Sequence, residues 1–280
     1  MLSQRLLYII WDFDPQIVML DFFGISWPIT WYGLLFAGGF LGGQRLLTHL
    51  YIRDDKPVAD ADLLTLYGVV GTIVGARLGH YLFYEWELLL NAPGRWLRSM
   101  LSLPFQGLAS HGATIAILLA LYLYSRRRSD QPFLWVTDRA AVVAGFCGAL
   151  IRFGNLVNSE IYGQPTTVPW GFVFVRETDP ALLPLVPRHP TQLYEALFCL
   201  LLSALCFWLW KKKRHLLPNG FITGLFLTLL FSFRFGVEFL KVNQEAFENN
   251  MALNMGQLLS LPAILTGFYL LFRNRRVVPG

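Results

Sequence analysis

The sequence predicts an all-α polytopic membrane protein with seven transmembrane helices, its N-terminus outside (periplasmic) and its C-terminus cytoplasmic. Three observations carry that expectation. Of 280 residues, 55% are hydrophobic and 15% charged, with a mean hydropathy of +0.47, whereas about a quarter of the residues of an ordinary soluble domain are charged. Apolar windows of about 20 residues, enough to cross a hydrocarbon core of roughly 30 Å, recur along the chain. The basic residues gather at the ends of alternate windows, as the positive-inside rule requires.

The seven windows cover residues 28–47, 62–84, 108–125, 135–157, 191–210, 220–240 and 255–272. Before the first, the apolar stretches 6–10 and 17–23 are broken by Asp12, Asp14 and Pro15. Residues 1–27 therefore read as an interfacial segment, too short and too acidic for a span or a signal-peptide core. Residues 85–106 place Trp86, Trp96, Arg95 and Arg98 among leucines, which suits an amphipathic arm in the outer headgroup layer. Residues 158–190 form a proline-rich outer loop or head in which the alternating run 170–175 suits a short strand. A loop of that length in a compact protein usually covers or binds something. The chain reads as one membrane-embedded domain.

Thirteen lysines and arginines sit after the first, third, fifth and seventh windows, against six on the opposite face. That asymmetry sets the orientation, and it explains the net charge of +5 without nucleic-acid binding. Cys147, Cys199 and Cys206 fall inside apolar windows without metal-ligand spacing, so they read as packing residues.

With this orientation, the unusual polar residues collect at one level. Tyr32 is near the outer start of the first window, Arg77 in the outer half of the second and His111 at the start of the third. Arg152 and Asn155 end the fourth, His189, Gln192, Tyr194 and Glu195 begin the fifth, and Arg234 and Glu238 lie near the end of the sixth. An ionisable side chain at membrane depth is costly and usually marks a site. The expectation is one cavity open to the outer leaflet. Its three guanidiniums match phosphate bidentately, so an outer-leaflet phospholipid is the simplest ligand. His111 is the natural proton acceptor. Arg234 and Glu238 are i, i+4 neighbours that could satisfy each other. No serine-hydrolase elbow, zinc-protease motif, phosphate-binding loop or Cys/His cluster is present. A base and cationic groups without a protein nucleophile suit a transferase whose substrate supplies the nucleophile. No cofactor or metal is expected.

Several motifs then converge. Arg152-Phe153-Gly154-Asn155-Leu156-Val157-Asn158-Ser159-Glu160 followed by Gly163 resembles the signature of the bacterial phosphatidylglycerol:prolipoprotein diacylglyceryl transferases. So do Trp31-Tyr32-Gly33, Gly75-Ala76-Arg77-Leu78-Gly79, His111-Gly112, Arg188-His189-Pro190-Thr191-Gln192-Leu193-Tyr194-Glu195, Arg234-Phe235-Gly236-Val237-Glu238-Phe239 and Met255-Gly256-Gln257, in family order. Ala113 and Ile151 stand where the family usually carries glycine. The resemblance implies a multi-pass enzyme of the bacterial inner membrane that moves the diacylglyceryl group of phosphatidylglycerol onto the lipobox cysteine of a preprolipoprotein. A thioether forms and glycerol phosphate leaves. It implies catalytic roles for His111, Arg152 and Arg234. Substrate binding would fall to Tyr32, Arg77, Gly154, Asn155, Asn158, Glu160, Gly163, His189, Gln192, Glu195 and Glu238. The expected partners are phosphatidylglycerol, the preprolipoprotein signal peptide and membrane lipids. The competing reading of the same arginines is a lipid-phosphate or anion transporter.

Overall fold

Glycine spacing and aromatic placement decide how the apolar segments pack. A computed structural model of the chain describes residues 8–22, 25–102, 107, 109–177, 184–242 and 251–273. Its elements in order are strands β1 (Ile9–Trp11), β2 (Gln16–Phe22) and β3 (Ile25–Thr30), then helices α1 (Trp31–Arg53), α2 (Val58–Phe83), α3 (Trp86–Asn91), α4 (Pro93–Leu101), α5 (Ser110–Arg126) and α6 (Phe133–Val157). Strand β4 (Phe172–Phe174) and helices α7 (Thr191–Lys213), α8 (Phe221–Val237) and α9 (Met255–Phe272) complete the order.

A helix covers most of each of the seven apolar windows. Five of them, α2, α6, α7, α8 extended to Leu240, and α9, are long and apolar enough to cross a membrane. α5, at 17 residues, is shorter than each of these, and α1 carries Gln44, Arg45, Thr48 and His49 in its second half. Leu41, Leu201 and Leu265 are largely exposed along their helices, as lipid-facing leucines would be.

Part of the N-terminal segment, expected to be interfacial, is β-strand. β2 and β3 pair antiparallel, with Leu20 opposite Trp27, so the first helix begins at Trp31 and not at residue 28. Hydropathy counts apolar content and does not register strand pairing, so the apolar window runs on through β3. The run 170–175 contains β4 as expected, and β4 pairs in parallel with β1, Ile9 opposite Phe172. The expected charges Arg5, Arg275 and Arg276 and parts of the outer segments (1–7, 23–24, 103–106 and 178–183) lie outside the described residues.

The contacts divide the chain into two units, Gln44–Arg139 and the remainder, Met1–Gly43 with Ala140–Gly280. In the first, α2 lies against α5 through small residues one turn apart. A Cβ on Gly79 would stand 2.6 Å from Gly112 Cα, and one on Gly75 would stand 2.7 Å from Gly112 O. Only glycine allows that approach, the usual device for packing helices where lipid supplies no hydrophobic drive. At the far end of this unit Tyr51 and Tyr124 both donate to Gln131 Oε1, at 3.1 and 2.6 Å, and Gln131 Nε2 donates to Asp60. Arg139 pairs with Asp54 at 2.7 Å and lies over the Trp135 ring. These buried polar groups are partnered, as buried polar groups must be.

In the second unit α6 meets α7 where Ser203 Oγ donates to Val142 O at 2.7 Å, and the rings of Phe198 on α7 and Phe233 on α8 stack 4.0 Å apart. Phe172 and Phe174 of β4 form a small core with Leu156 and Tyr162, against which Trp11 of β1 packs. Trp11 Nε1 donates to Leu156 O at 2.9 Å. That bond ties the strands to the end of α6, where the polar signature begins.

Candidate functional site

The end of α6 is turned by two strained residues. Ser159 and Ile161 have φ of 55° and 59°, a left-handed conformation that costs a non-glycine residue about 1–2 kcal/mol and is most unfavourable for a β-branched one. The strain is held from α7. Gln192 Nε2 donates to Glu160 O at 2.6 Å, and Thr191 Oγ1 donates to Ile161 O at 3.1 Å. The turn brings Glu160 back over α6, where its Oε1 accepts from Asn155 Nδ2 at 2.7 Å and Asn158 Nδ2 at 3.3 Å. Strain concentrated in one turn and compensated by neighbouring elements is typical of sites that must hold a geometry.

The two signature glycines serve close packing. A Cβ on Gly154 would stand 2.7 Å from the Tyr32 ring, and one on Gly163 would stand 2.6 Å from Leu240 O. Gly163 N donates to His189 O at 2.8 Å, and His189 Nδ1 lies 3.2 Å from the Tyr194 hydroxyl, which also accepts from Trp170 Nε1 at 2.8 Å. Tyr32, Gly154, Gly163 and His189 thus set the walls of the turn.

Five charged residues of this unit form a row. Arg152 Nε is 3.2 Å from Glu195 Oε2, and its Nη1 donates to Asn155 Oδ1 at 3.3 Å. Glu195 Oε1 is 2.9 Å from Lys241 Nζ, which is also 3.3 Å from Glu238 Oε1. Glu238 in turn contacts Arg234 at 3.7 Å, the expected i, i+4 pair, and accepts from Asn254 Nδ2 at 3.3 Å. Asn254 itself caps α9 in a reciprocal box with Gln257. The middle of the row is buried, Lys241 at 2%, Glu195 at 6% and Glu238 at 9% exposure, while Arg152 and Arg234 reach 20% and 36%. Burial strengthens the inner pairs and leaves the guanidiniums presented.

Arg77 and His111 belong to the other unit. Arg77 is 6% exposed. Its Nε donates to Met100 O at 2.8 Å, and its Nη2 donates to Ser99 O at 2.7 Å and Ser102 O at 3.3 Å. It therefore caps the carbonyl end of α4, where a cation is favoured, and this geometry gives it a part in holding the arm. The His111 ring lies edge-on to Phe83, 4.7 Å between centroids, with Tyr84 at 5.8 Å. Gly112 beside it makes the close contact with α2 described above. Among the described residues no cluster of three His, Cys, Asp or Glu could hold a metal ion.

Sequence reasoning placed every member of the row except Lys241 and Asn254. Lys241 is one of the six basic residues that the sequence puts on the outer face. Its spacing of three from Glu238, at the end of the Arg234 motif, is the signal that could have found it.

The helices able to cross a membrane and the row of charges among them define a polytopic membrane protein with a polar site. The chain matches the family model for prolipoprotein diacylglyceryl transferase over residues 19–273, and it belongs to that family. It is 46% identical over 277 residues to the phosphatidylglycerol–prolipoprotein diacylglyceryl transferase of Porphyromonas gingivalis, covering 95% of this chain and 94% of the relative. The proteins of the same name from Chloroherpeton thalassium and Tolumonas auensis are 42% and 41% identical. They cover 95% and 93% of this chain, and 94% and 95% of their own lengths.

Proposed function

We propose that this chain transfers the diacylglyceryl group of phosphatidylglycerol to the lipobox cysteine thiol of a preprolipoprotein, in the inner membrane of a bacterium and with its site toward the outer leaflet. The observation that carries this reading is the row of charges ending in two presented guanidiniums, in a chain that belongs to the transferase family. Family membership sets the transporter reading aside.

The chemistry follows from the groups present. His111 accepts the thiol proton, because the thiolate and not the thiol is the nucleophile. Sulfur attacks the glyceryl carbon that carries the phosphodiester. The carbon–sulfur bond forms as the carbon–oxygen bond breaks, and the electron pair leaves on the phosphate as glycerol phosphate. The departing group gains a negative charge, and Arg152 and Arg234 are its stabilisers. Such preorganised electrostatics usually supply the largest share of catalysis. Asn155, Asn158 and the exposed Glu160 form the wall that receives the glycerol hydroxyls. Gln192, Glu195 and Glu238 act from behind it, and Tyr32, Gly154, Gly163 and His189 shape it. Arg77 supports the arm. The reaction balances without a cofactor.

The test is incubation of the purified protein with phosphatidylglycerol and a lipobox peptide, followed by mass spectrometry of the peptide. The expected result is a mass increase of one diacylglyceryl group on cysteine. An unmodified peptide, with glycerol phosphate absent, overturns the reading.

A further inference from the structure

Lys241 is the one cation of the charged row that neither the arginine motifs nor the expected topology singles out. Its burial at 2% rules out a role as a surface anchor, and a lysine able to snorkel to the interface would not be buried there. It contacts two carboxylates at once, Glu195 at 2.9 Å and Glu238 at 3.3 Å. Each of these holds one arginine, Arg152 through Glu195 and Arg234 through Glu238. Its main chain is pinned as well. Gln164 Nε2 donates to Lys241 O at 2.9 Å, and Gln164 N donates to Leu240 O at 2.7 Å. The ammonium therefore reaches both carboxylates from a fixed point beside the Gly163 turn.

We infer that Lys241 is a positioning residue: it sets the separation and orientation of Arg152 and Arg234 by clamping Glu195 and Glu238 between them. The inference rests on the transferase reading above. Two carboxylates brought together without a cation between them would repel, and in a buried setting at least one would take up a proton or turn away. Either change frees one arginine from its holder. The row contains three cations against two carboxylates. Within these five residues, with all ionised, one positive charge is in excess. The buried centre, one lysine and two glutamates, carries one net negative charge, which the two more exposed arginines at the ends outweigh by one.

A phosphodiester with one negative charge becomes a phosphate monoester that tends toward two as it leaves. Correct spacing of the guanidiniums therefore matters more in the transition state than in the bound lipid, and such differential stabilisation acts on kcat. A misplacement of about 1 Å costs on the order of 100-fold in rate.

The experiment measures kcat and KM for phosphatidylglycerol with a saturating lipobox peptide, on purified wild-type protein and on Lys241→Met, Lys241→Gln and Lys241→Arg. Lys241→Met and Lys241→Gln should each lose about 100-fold in kcat with KM changed less than about threefold. Lys241→Arg, which keeps the cation, should stay within about tenfold of wild type. Where Lys241→Met fails to fold, Lys241→Gln carries the comparison, since it retains a donor and drops only the charge. Wild-type kcat in the neutral variants overturns the inference, and so does a Lys241→Arg protein as slow as they are. A wild-type protein that forms no adduct would instead overturn the transferase reading, so the two failures are distinct.

Discussion

Arg152 on α6 and Glu195 on α7 meet at 3.2 Å, and the carboxylate that steadies this arginine is shared at its other oxygen with Lys241. Glu195 is only 6% exposed, so it stabilises two cations in a region where water screens little. Replacing it by glutamine preserves shape and removes the charge. Breaking a buried ion pair in this way costs about 3–5 kcal/mol. Glu195→Gln should therefore melt well below wild type in detergent, and its transfer rate should fall with it. An unchanged melting temperature would mean that the buried pairs contribute nothing net.

Arg152→Lys tests the fork and not the charge. An ammonium keeps the positive charge but cannot give two parallel hydrogen bonds to a phosphate. Removing one preorganised donor from a developing anion costs about 2.7–4 kcal/mol, or 10²–10³ in kcat. Arg152→Lys and Arg234→Lys should each fall into that range by initial-rate measurement of glycerol phosphate release. Wild-type rates in both would leave the row without a catalytic part.

His111→Asn should lose about 10²–10⁴ in rate at neutral pH, the usual contribution of a general base. The defect should shrink with rising pH, because a free thiol with a pKa of about 8.5 ionises unaided above that value. Rates of wild type and variant measured from pH 7 to pH 9.5 should converge. Parallel pH profiles would count against proton transfer to His111.

Two glycine variants separate packing from chemistry. Gly79→Leu pushes a side chain into Gly112 Cα, which an alanine-sized Cβ already meets at 2.6 Å, so α2 and α5 must part. Overpacking of this kind costs about 1–3 kcal/mol or more and should lower stability and membrane yield. Gly154→Ala meets the Tyr32 ring at 2.7 Å, and a ring can turn where a backbone cannot. That variant should fold normally and lose activity, and Tyr32→Ala in the same chain should restore part of it. If Gly154→Ala transfers at the wild-type rate, the position of the Tyr32 ring against Gly154 does not matter to transfer.

The legible portion of this protein is that governed by local composition. α9 was expected over 255–272 and is observed as Met255–Phe272, and α7 starts at the expected residue 191, because a run of apolar side chains specifies a lipid-facing helix without reference to anything distant. The pair Arg234 and Glu238 was legible for the same reason, since helix geometry alone brings i and i+4 together. The β2 and β3 hairpin was not, because its strands alternate weakly and are defined by pairing with each other. Nor was the engagement of Arg77 by the α4 carbonyls, whose donors and acceptors are more than twenty residues apart in sequence.

The sequence by itself determined the solvent of this chain, the positions of its long helices, the family, and most of the residue types gathered at its polar helix ends. Each of these is a property of short segments or of ordered motifs. Only the tertiary structure decided which charge holds which. Arg152, Glu195 and Lys241 come from three separate stretches, and their order in the row follows from the packing of α6, α7 and the segment just after α8. Electrostatic pairing depends on distance and burial, and neither is written along the chain.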